Sequence, residues 1–440
     1  MSRLGGDKKF IIRRSMKICL INNLYKPYAK GGAERIVELQ AEGLIKAGYE
    51  VFIISTKPLF KSQKSKVKSQ KLYYLPGLYY NLNKIPKILR LPWHLLDIFD
   101  VGNYFRIKSI LKKKKPDVVI THNLKGLSYL IPNVIKCLKI KHIHVLHDAQ
   151  LLHPSGLILC GREKQLKSFP AKLYISLCRW LFNSPEIVIS PSKWLIKLHE
   201  EKNFFSHSEK IILPNPIPDI LIPSIHPTPH PLTPSPKQEM GKTTGSLSYL
   251  GEGRGDVFLN ERGVNEVFRF LYVGQIEKHK GILFLIKSLS ILCQNFSRCD
   301  FELVIAGTGS KLKKARQLAK TNQYIKLLGW KDKEEVKELM KSANCLIVPS
   351  LCYENSPTVI YEAAASGLPI IAARLGGIPE LVHKLGGILF KAGNEGDLMH
   401  QMRWAMDNPE FLRKIGGKSG KKIKKFGLNY YLKELIANFQ

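Results

Sequence analysis

The sequence has no apolar run approaching the ~18 residues that a membrane-spanning helix needs. Its eight cysteines (Cys19, Cys137, Cys160, Cys178, Cys293, Cys299, Cys345 and Cys352) are scattered without a CxxC pair. That pattern excludes a disulfide framework and a thiolate zinc site, and predicts reduced core residues in a cytosolic protein. No set of aspartates has metal-ligand spacing, so no carboxylate cage for a divalent cation is expected. Acidic residues are few, 35 Asp and Glu against 69 Lys and Arg. The deficit is uneven. Residues 1–217 carry 38 basic and 14 acidic residues, a net of +24, and residues 218–440 carry 31 and 21, a net of +10, which completes +34. A basic face of this strength attracts polyanions, either anionic lipid or nucleic acid. No nucleic-acid-binding motif accompanies it.

What is present reads as alternating strands and helices. Residues 1–15 are basic and unpatterned, and the apolar run after Arg13-Arg14 is too short for a secretory signal. The fold is expected to start at Met16, with Met16–Asn22 as a first strand. Gly31-Gly32-Ala33-Glu34 then opens an amphipathic helix to about Ala47, in which Ile36, Leu39, Gly43 and Leu44 share a face. Strand, Gly-Gly and helix make a geometry for phosphate approach, because glycine removes the Cβ and the helix start offers free N–H groups. Val51–Ser55 is a second strand. A lysine-dense segment from Lys57 to Lys71 leads into Tyr73, Tyr74, Tyr79, Tyr80 and Trp93, mixed with further cations. The mixture suits a membrane surface or a helical subdomain with snorkelling lysines.

Strands are predicted at Asp117–Thr121, ending in His122, and at His142–Leu146, ending in His147-Asp148, with a helix over Leu124–Leu138 between them. Such strand ends are where parallel sheets place chemistry. Ile187–Ser190 and Ile211–Leu213 complete the first unit. Residues 218–266 lose apolar periodicity and are rich in proline, then glycine. They read as a disordered insertion. Their GKTTG lacks the spacing and preceding strand of a phosphate-binding loop. The second unit starts with a strand at Arg269–Val273, followed by Gly274-Gln275-Ile276-Glu277-Lys278-His279-Lys280-Gly281 and a helix to Phe296. Phe301–Ala306 leads to Gly307, and Ile325–Leu328 leads to Gly329-Trp330. Lysine-rich helices fill Asp397–Lys425, and Tyr430–Phe439 is a last helix.

The densest stretch is Leu346–Val382, LIVPSLCYENSPTVIYEAAASGLPIIAARLGGIPELV. It reads as strand, loop, helix, strand, turn and helix. Pro357 suits the first helical turn. The N–H groups of that turn, at Thr358 and Val359, would hold a diphosphate. Glu354 stands before the helix and Glu362 lies one to two turns inside it.

This stretch resembles the donor-site signature of the retaining glycosyltransferases of family 4. Glu354 and Glu362 are followed by Ala363-Ala364-Ala365-Ser366-Gly367-Leu368-Pro369 and by Gly376-Gly377-Ile378-Pro379-Glu380. Gly31-Gly32-Ala33-Glu34 resembles a second element of the same family, a loop that meets the donor phosphates or the acceptor. The resemblance covers about residues 16–217 and 267–438. It implies a GT-B fold, in which two doubly wound Rossmann-like domains face a cleft. The first, 16–217, lies on the acceptor side, and the second, 267–426, binds the nucleotide sugar. A helix over 427–440 crosses back, and residues 1–15 form a tail.

The implied reaction is retaining, metal-independent transfer of a sugar from a UDP- or GDP-sugar to an acceptor hydroxyl, with no cofactor. Glu354 would approach the transferred sugar and Glu362 would hold the ribose hydroxyls. Lys280 would neutralise the diphosphate and His147, rather than His122, would face the sugar. Gly31, Gly32, Gly307, Thr358 and Val359 would line the donor, and Trp330 would border the base. Gln275 stands where the family usually has Arg, one cation fewer. The basic first domain suits a glycan or lipid-linked acceptor at the cytosolic face of an anionic membrane. A sugar-nucleotide epimerase on the same fold and a basic nucleic-acid-binding protein are the alternatives.

Overall fold

The computed structural model describes residues 16–29, 31–58, 71–77, 86, 90–182, 185–218, 267–294 and 301–439. The expected tail, most of the Lys57–Lys71 segment, Tyr79, Tyr80 and the expected insertion from residue 219 onward lie outside them. The first unit is a sheet of seven parallel strands: β1 (Lys17–Ile21), β2 (Glu50–Pro58), β3 (Lys71–Gly77), β4 (Val118–Thr121), β5 (Lys141–Val145), β6 (Ile187–Ser190) and β7 (Glu209–Ile212). Their spatial order is β3-β2-β1-β4-β5-β6-β7. The helices are α1 (Gly32–Lys46), α2 (Arg90–Ile98), α3 (Val101–Lys114), α4 (Ile131–Cys137), α5 (Phe169–Leu181) and α6 (Lys193–Glu200).

The second unit repeats the plan with β8 (Phe268–Val273), β9 (Phe301–Ala306), β10 (Ile325–Gly329), β11 (Cys345–Val348), β12 (Ile370–Ala373) and β13 (Ile388–Phe390), ordered β10-β9-β8-β11-β12-β13. Its helices are α7 (Ile282–Gln294), α8 (Leu312–Ala319), α9 (Lys333–Ser342), α10 (Thr358–Ala365), α11 (Ile378–Leu385), α12 (Glu395–Asp407), α13 (Pro409–Lys422) and α14 (Leu428–Ala437). In each sheet the order reverses beside the first strand, between β1 and β4 and between β8 and β11. Ligands of doubly wound sheets bind at such reversal points.

Both sheets are covered on two faces, which explains why their strands read as near-continuous apolar runs. In β1, Cys19 and Ile21 pack on one face, while Ile18 and Leu20 pack on the other with Val37 of α1. Tyr431, Leu432 and Leu435 of α14, with Phe439, join this second cluster. The chain therefore crosses back, and Gln40 of α1 donates to the Tyr431 hydroxyl at 2.5 Å. At roughly 1.5–3 kcal/mol per buried large apolar side chain, as an upper bound, these four contribute enough to hold the crossover in place.

Several expectations need correction. The helix over Leu124–Leu138 is confined to Ile131–Cys137. Pro132 is tolerated in a first turn but not inside a helix, so the helix starts there. Pro357 is the N-cap of α10 rather than a first-turn residue. Trp93 is 5% exposed and belongs to the interior. Tyr73 packs edge-on to Phe52, and the Tyr74 hydroxyl donates to the Lys26 carbonyl. These aromatics are therefore engaged within the fold. Of the described cysteines, Cys19, Cys178, Cys345 and Cys352 are buried, but Cys137 and Cys160 are exposed.

Candidate functional site

The site lies where the strand-end loops of the two units meet. Gly281, after Lys280, has φ +77, and a Cβ there would stand 1.7 Å from the Pro349 carbonyl oxygen. Only glycine permits that approach. It seats the β8–α7 loop on the loop after β11, where the Leu351 N–H donates to the His279 carbonyl at 2.9 Å. The Lys280 ammonium consequently donates to Glu354 Oε2 at 2.7 Å. The Ser350 hydroxyl donates to Glu354 Oε1. Burial alone would lower the Lys280 pKa, but the Glu354 carboxylate more than offsets it and leaves the ammonium above its usual value. The cation is thereby fixed in charge and in place.

Gly376, with φ +64, packs on the same loop, and a Cβ there would lie 2.4 Å from the Glu354 carbonyl oxygen. The Gly377 N–H donates to that oxygen at 2.8 Å. Glu354 is thus held by the Gly-Gly turn, by Lys280 and by Ser350.

The start of α10 faces the first unit. A Cβ on Gly32 would lie 3.4 Å from Thr358 Cγ2, so Gly31-Gly32 and Thr358-Val359 oppose each other. Glu34 turns back and accepts from the Gly31 N–H at 2.8 Å, which fixes the α1 start. Within α10, Ile360, Tyr361, Ala363 and Ala364 are buried and point inward. The Glu362 carboxylate makes no hydrogen bond or ion pair among the described residues. Burial raises its pKa, against the opposing pull of Lys333 and Arg35. Arg35 comes from α1 of the first unit and Lys333 from α9 of the second.

His147 follows β5. Its Nε2 is 2.8 Å from His122 Nδ1, and the rings stack with centroids 5.1 Å apart. Burial lowers the His147 pKa to about 4, so the ring is neutral at pH 7. His122 is fully buried, its pKa is driven well below the usual value by burial, and its Nε2 has no partner among the described residues. The two histidines, assigned unequal weight by sequence, form one unit. They line a cavity with Asp148, Gln150, Tyr129 and Phe182. Asp148 is raised to about 6 by burial and accepts from the Gln150 N–H at 2.8 Å.

The remaining predicted residues are placed more loosely. Gln275 contributes its carbonyl, which accepts from the Tyr272 hydroxyl at 2.7 Å. The Gly307 N–H donates to the Gly329 carbonyl at 2.7 Å, next to Trp330, whose ring is 71% exposed.

Three residues, Arg35, Lys333 and Asn355, escaped sequence reasoning, as did the partner of Glu380. Arg35 and Lys333 flank Glu362. Asn355 accepts from the Ser192 hydroxyl at 2.5 Å and donates to the His147 carbonyl at 3.2 Å, joining the loop after β11 to the β5 end. Glu380 of α11 accepts from the backbone N–H groups of Lys193 and Trp194, at 2.9 and 2.6 Å, so it caps α6 of the opposite unit. A signal existed for Arg35, which lies three residues after Gly32 on the same helix face. For Asn355 and Glu380 the partners are more than 160 residues away in sequence; Glu380 is marked by the Gly-Gly-x-x-Glu turn, but nothing local marks its partner or Asn355.

Two facing doubly wound units, with a Glu-Lys pair and a helix start at their junction, define a GT-B architecture. A family model described as glycosyl transferases group 1 matches residues 260–422, and one described as glycosyltransferase family 4 matches residues 30–219. The chain belongs to the group 1 glycosyltransferases of the family 4 type. Neither model takes in residues 220–259. An uncharacterized 42.6 kDa protein in the cps region of Klebsiella pneumoniae is 27% identical over 82% of this chain and 86% of its own length. A UDP-Gal:alpha-D-GlcNAc-diphosphoundecaprenol alpha-1,3-galactosyltransferase of Escherichia coli is 28% identical, over 24% of this chain and 28% of its own. Among solved structures, Anabaena HepE in complex with UDP superposes with a TM-score of 0.65 at 15% identity, covering 96% of this chain and 99% of that one. Sucrose-phosphate synthase of Thermosynechococcus elongatus gives 0.65 at 16% identity, covering 96% and 98%. The likeness of these structures is one of fold. Among the described residues no helix is long and apolar enough to cross a membrane.

Proposed function

We propose that this glycosyltransferase moves a sugar, with retention, from a UDP- or GDP-sugar to a hydroxyl of a lipid-linked or cell-surface glycan precursor, at the cytosolic face of a membrane. The observation that carries the donor side is Glu362, a half-buried side-chain carboxylate without a hydrogen-bond partner among the described residues, behind a helix start that faces Gly31-Gly32. A carboxylate in that position accepts from the two ribose hydroxyls. The diphosphate then lies at the N-termini of α10 and α1. Lys280 stabilises the negative charge that grows on the leaving diphosphate as the glycosidic bond breaks. Glu354 and the neutral His147 position the sugar. Gln275, Gly307 and Trp330 border the rest of the nucleotide.

No divalent cation is assigned to the diphosphate, because Lys280 and two helix starts supply the positive potential. Residues 16–217 serve as the acceptor domain and 267–426 as the donor domain, with 1–15 and 218–266 as appendages. The Escherichia coli relative, a galactosyltransferase acting on a diphosphoundecaprenol-linked GlcNAc, supports a lipid-linked acceptor by likeness. Release of nucleoside diphosphate on adding each sugar nucleotide, with and without polyprenyl-diphosphate sugars, tests the reading. Turnover with none of them would overturn it.

A further inference from the structure

We propose that the outer face of α5 is a docking surface for an anionic lipid bilayer. On α5, Phe169 is 81% exposed, Leu173 64% and Trp180 66%. Their spacing of four and then seven residues puts them on one stripe of the helix. The opposite side, Ile175, Cys178 and Leu181, is buried in the sheet. A helix that is apolar on both sides has a second apolar neighbour, because exposed patches of this kind mark interaction surfaces.

The chemistry of that neighbour follows from the flanks. Arg162, Lys164, Lys167, Lys172 and Arg179 lie along or just before the helix, with Glu163 as the single acid between them. A two-fold contact with a second copy would set these cations against themselves. An anionic bilayer instead satisfies both features: acyl chains take the apolar stripe and headgroups take the lysines. Further large apolar side chains are exposed in the same unit. Tyr129 links the two helix ends: its N–H donates to the Ile98 carbonyl at the end of α2 at 3.0 Å, and its ring packs on Phe182, the C-cap of α5, with centroids 5.3 Å apart. On α2, Leu96 is 66% exposed, and on α3 Phe105 is 61% exposed. Tyr129 and Phe182 also line the cavity that holds His122 and His147. The docking surface belongs to the first unit, the one proposed to receive the acceptor, so a lipid-borne acceptor would reach the bilayer-facing unit directly. In that last respect the inference rests on the proposed function.

The test is co-sedimentation of the full chain with phosphatidylcholine vesicles, with and without roughly a third phosphatidylglycerol. The expected result is binding to the mixed vesicles, weakened as salt rises. Phe169→Ser with Trp180→Ser should reduce it about tenfold or more, and so should Lys164→Gln, Lys167→Gln and Lys172→Gln together. Thermal unfolding of these surface variants should match the parent. Trp180 fluorescence should be quenched by brominated lipid. Equal binding to neutral and anionic vesicles would overturn the proposal. So would unchanged binding by both variants, or a dimer in light scattering that only Trp180→Ser dissolves, or capture of a protein partner in place of vesicles. Vesicle binding needs no sugar transfer, so it stands or falls apart from the proposed reaction. Transfer to a water-soluble acceptor without vesicle binding sinks only this inference, and vesicle binding without any transfer sinks only the other.

Discussion

The Lys280 ammonium lies 2.7 Å from Glu354 Oε2, and the two residues come from loops 74 positions apart. The pair is mostly shielded, with side chains 28% and 12% exposed. Each residue therefore fixes the other, and neither acts alone. Lys280→Met should lower turnover by about two to three orders of magnitude, the size of losing one preorganised charge-stabilising donor. Glu354→Gln should also lower it. The double variant should lose much less than the product of the two, because partners in contact are not additive. Initial rates of the four proteins check this. Strict additivity would mean that the pair is incidental.

Glu380 reaches across the junction to cap α6, while Asn355 bonds Ser192 and the His147 carbonyl. Glu380→Gln keeps the shape but removes the charge at the helix N-terminus, a loss of about 0.5–2 kcal/mol. Its expected effect is a lower kcat with a smaller change in affinity for the nucleotide, most of whose proposed contacts lie in the second unit. Glu380→Ala should do more. A fall in nucleotide affinity with unchanged kcat would contradict the assignment of Glu380 to domain juxtaposition.

The buried histidines set the acid limit of stability. Burial holds His142 at about 3 and His147 and His199 at about 4, below the usual 6.5, and holds His122 and His144 well below it. Below pH 6.5 the unfolded chain binds protons at these positions and the folded chain does not, so stability is lost as pH falls from about 6.5 towards 4. Each group contributes roughly 1.4 kcal/mol per pH unit in that window. Asp97, raised to about 7, and Asp148, raised to about 6, act in the opposite direction, since burial makes their folded forms bind protons first. Five histidines outweigh two carboxyls. The urea midpoint at about pH 5 should fall clearly below that at pH 7.5. An equal or higher midpoint at the lower pH would contradict the buried, neutral assignment.

The alternating elements were legible in sequence because both sheets are parallel and doubly covered. β9 matches its expected bounds of Phe301–Ala306, and β11 to α11 follow the order read from Leu346–Val382. The edge strand β3 was not legible, since KLYYLPG has no clean alternation and follows a run of lysines. Nor was α5, whose outer stripe breaks the apolar-in, polar-out pattern. Within the candidate site, the residues named from sequence are those carried by a local motif: Glu354, Glu362, Lys280 and the glycines. Roles that arise from the meeting of the two units were not legible. Asn355 and Glu380 gain their partners only when β6 and β11 are brought together, and His122 becomes His147's partner only through the pairing of β4 with β5.

Excess EDTA should leave activity in place. The proposed diphosphate site draws on Lys280 and on the N-termini of α10 and α1 rather than on carboxylates that hold a cation. Progress curves with and without chelator decide it, and strict dependence on added magnesium or manganese would contradict the proposed site.

The most direct measurement is calorimetric titration of UDP and GDP into the parent protein and into Glu362→Ala, with no metal added. A charged hydrogen bond is worth about 1.5–3 kcal/mol. The account predicts that one of the two nucleotides binds the parent, and that the variant binds it about ten- to hundredfold more weakly. Because burial raises the Glu362 pKa, the parent's affinity should also fall as pH drops through that raised value, whereas the variant's should not. Equal affinity in parent and variant, or binding of neither nucleotide, would contradict the placement of the donor at α10.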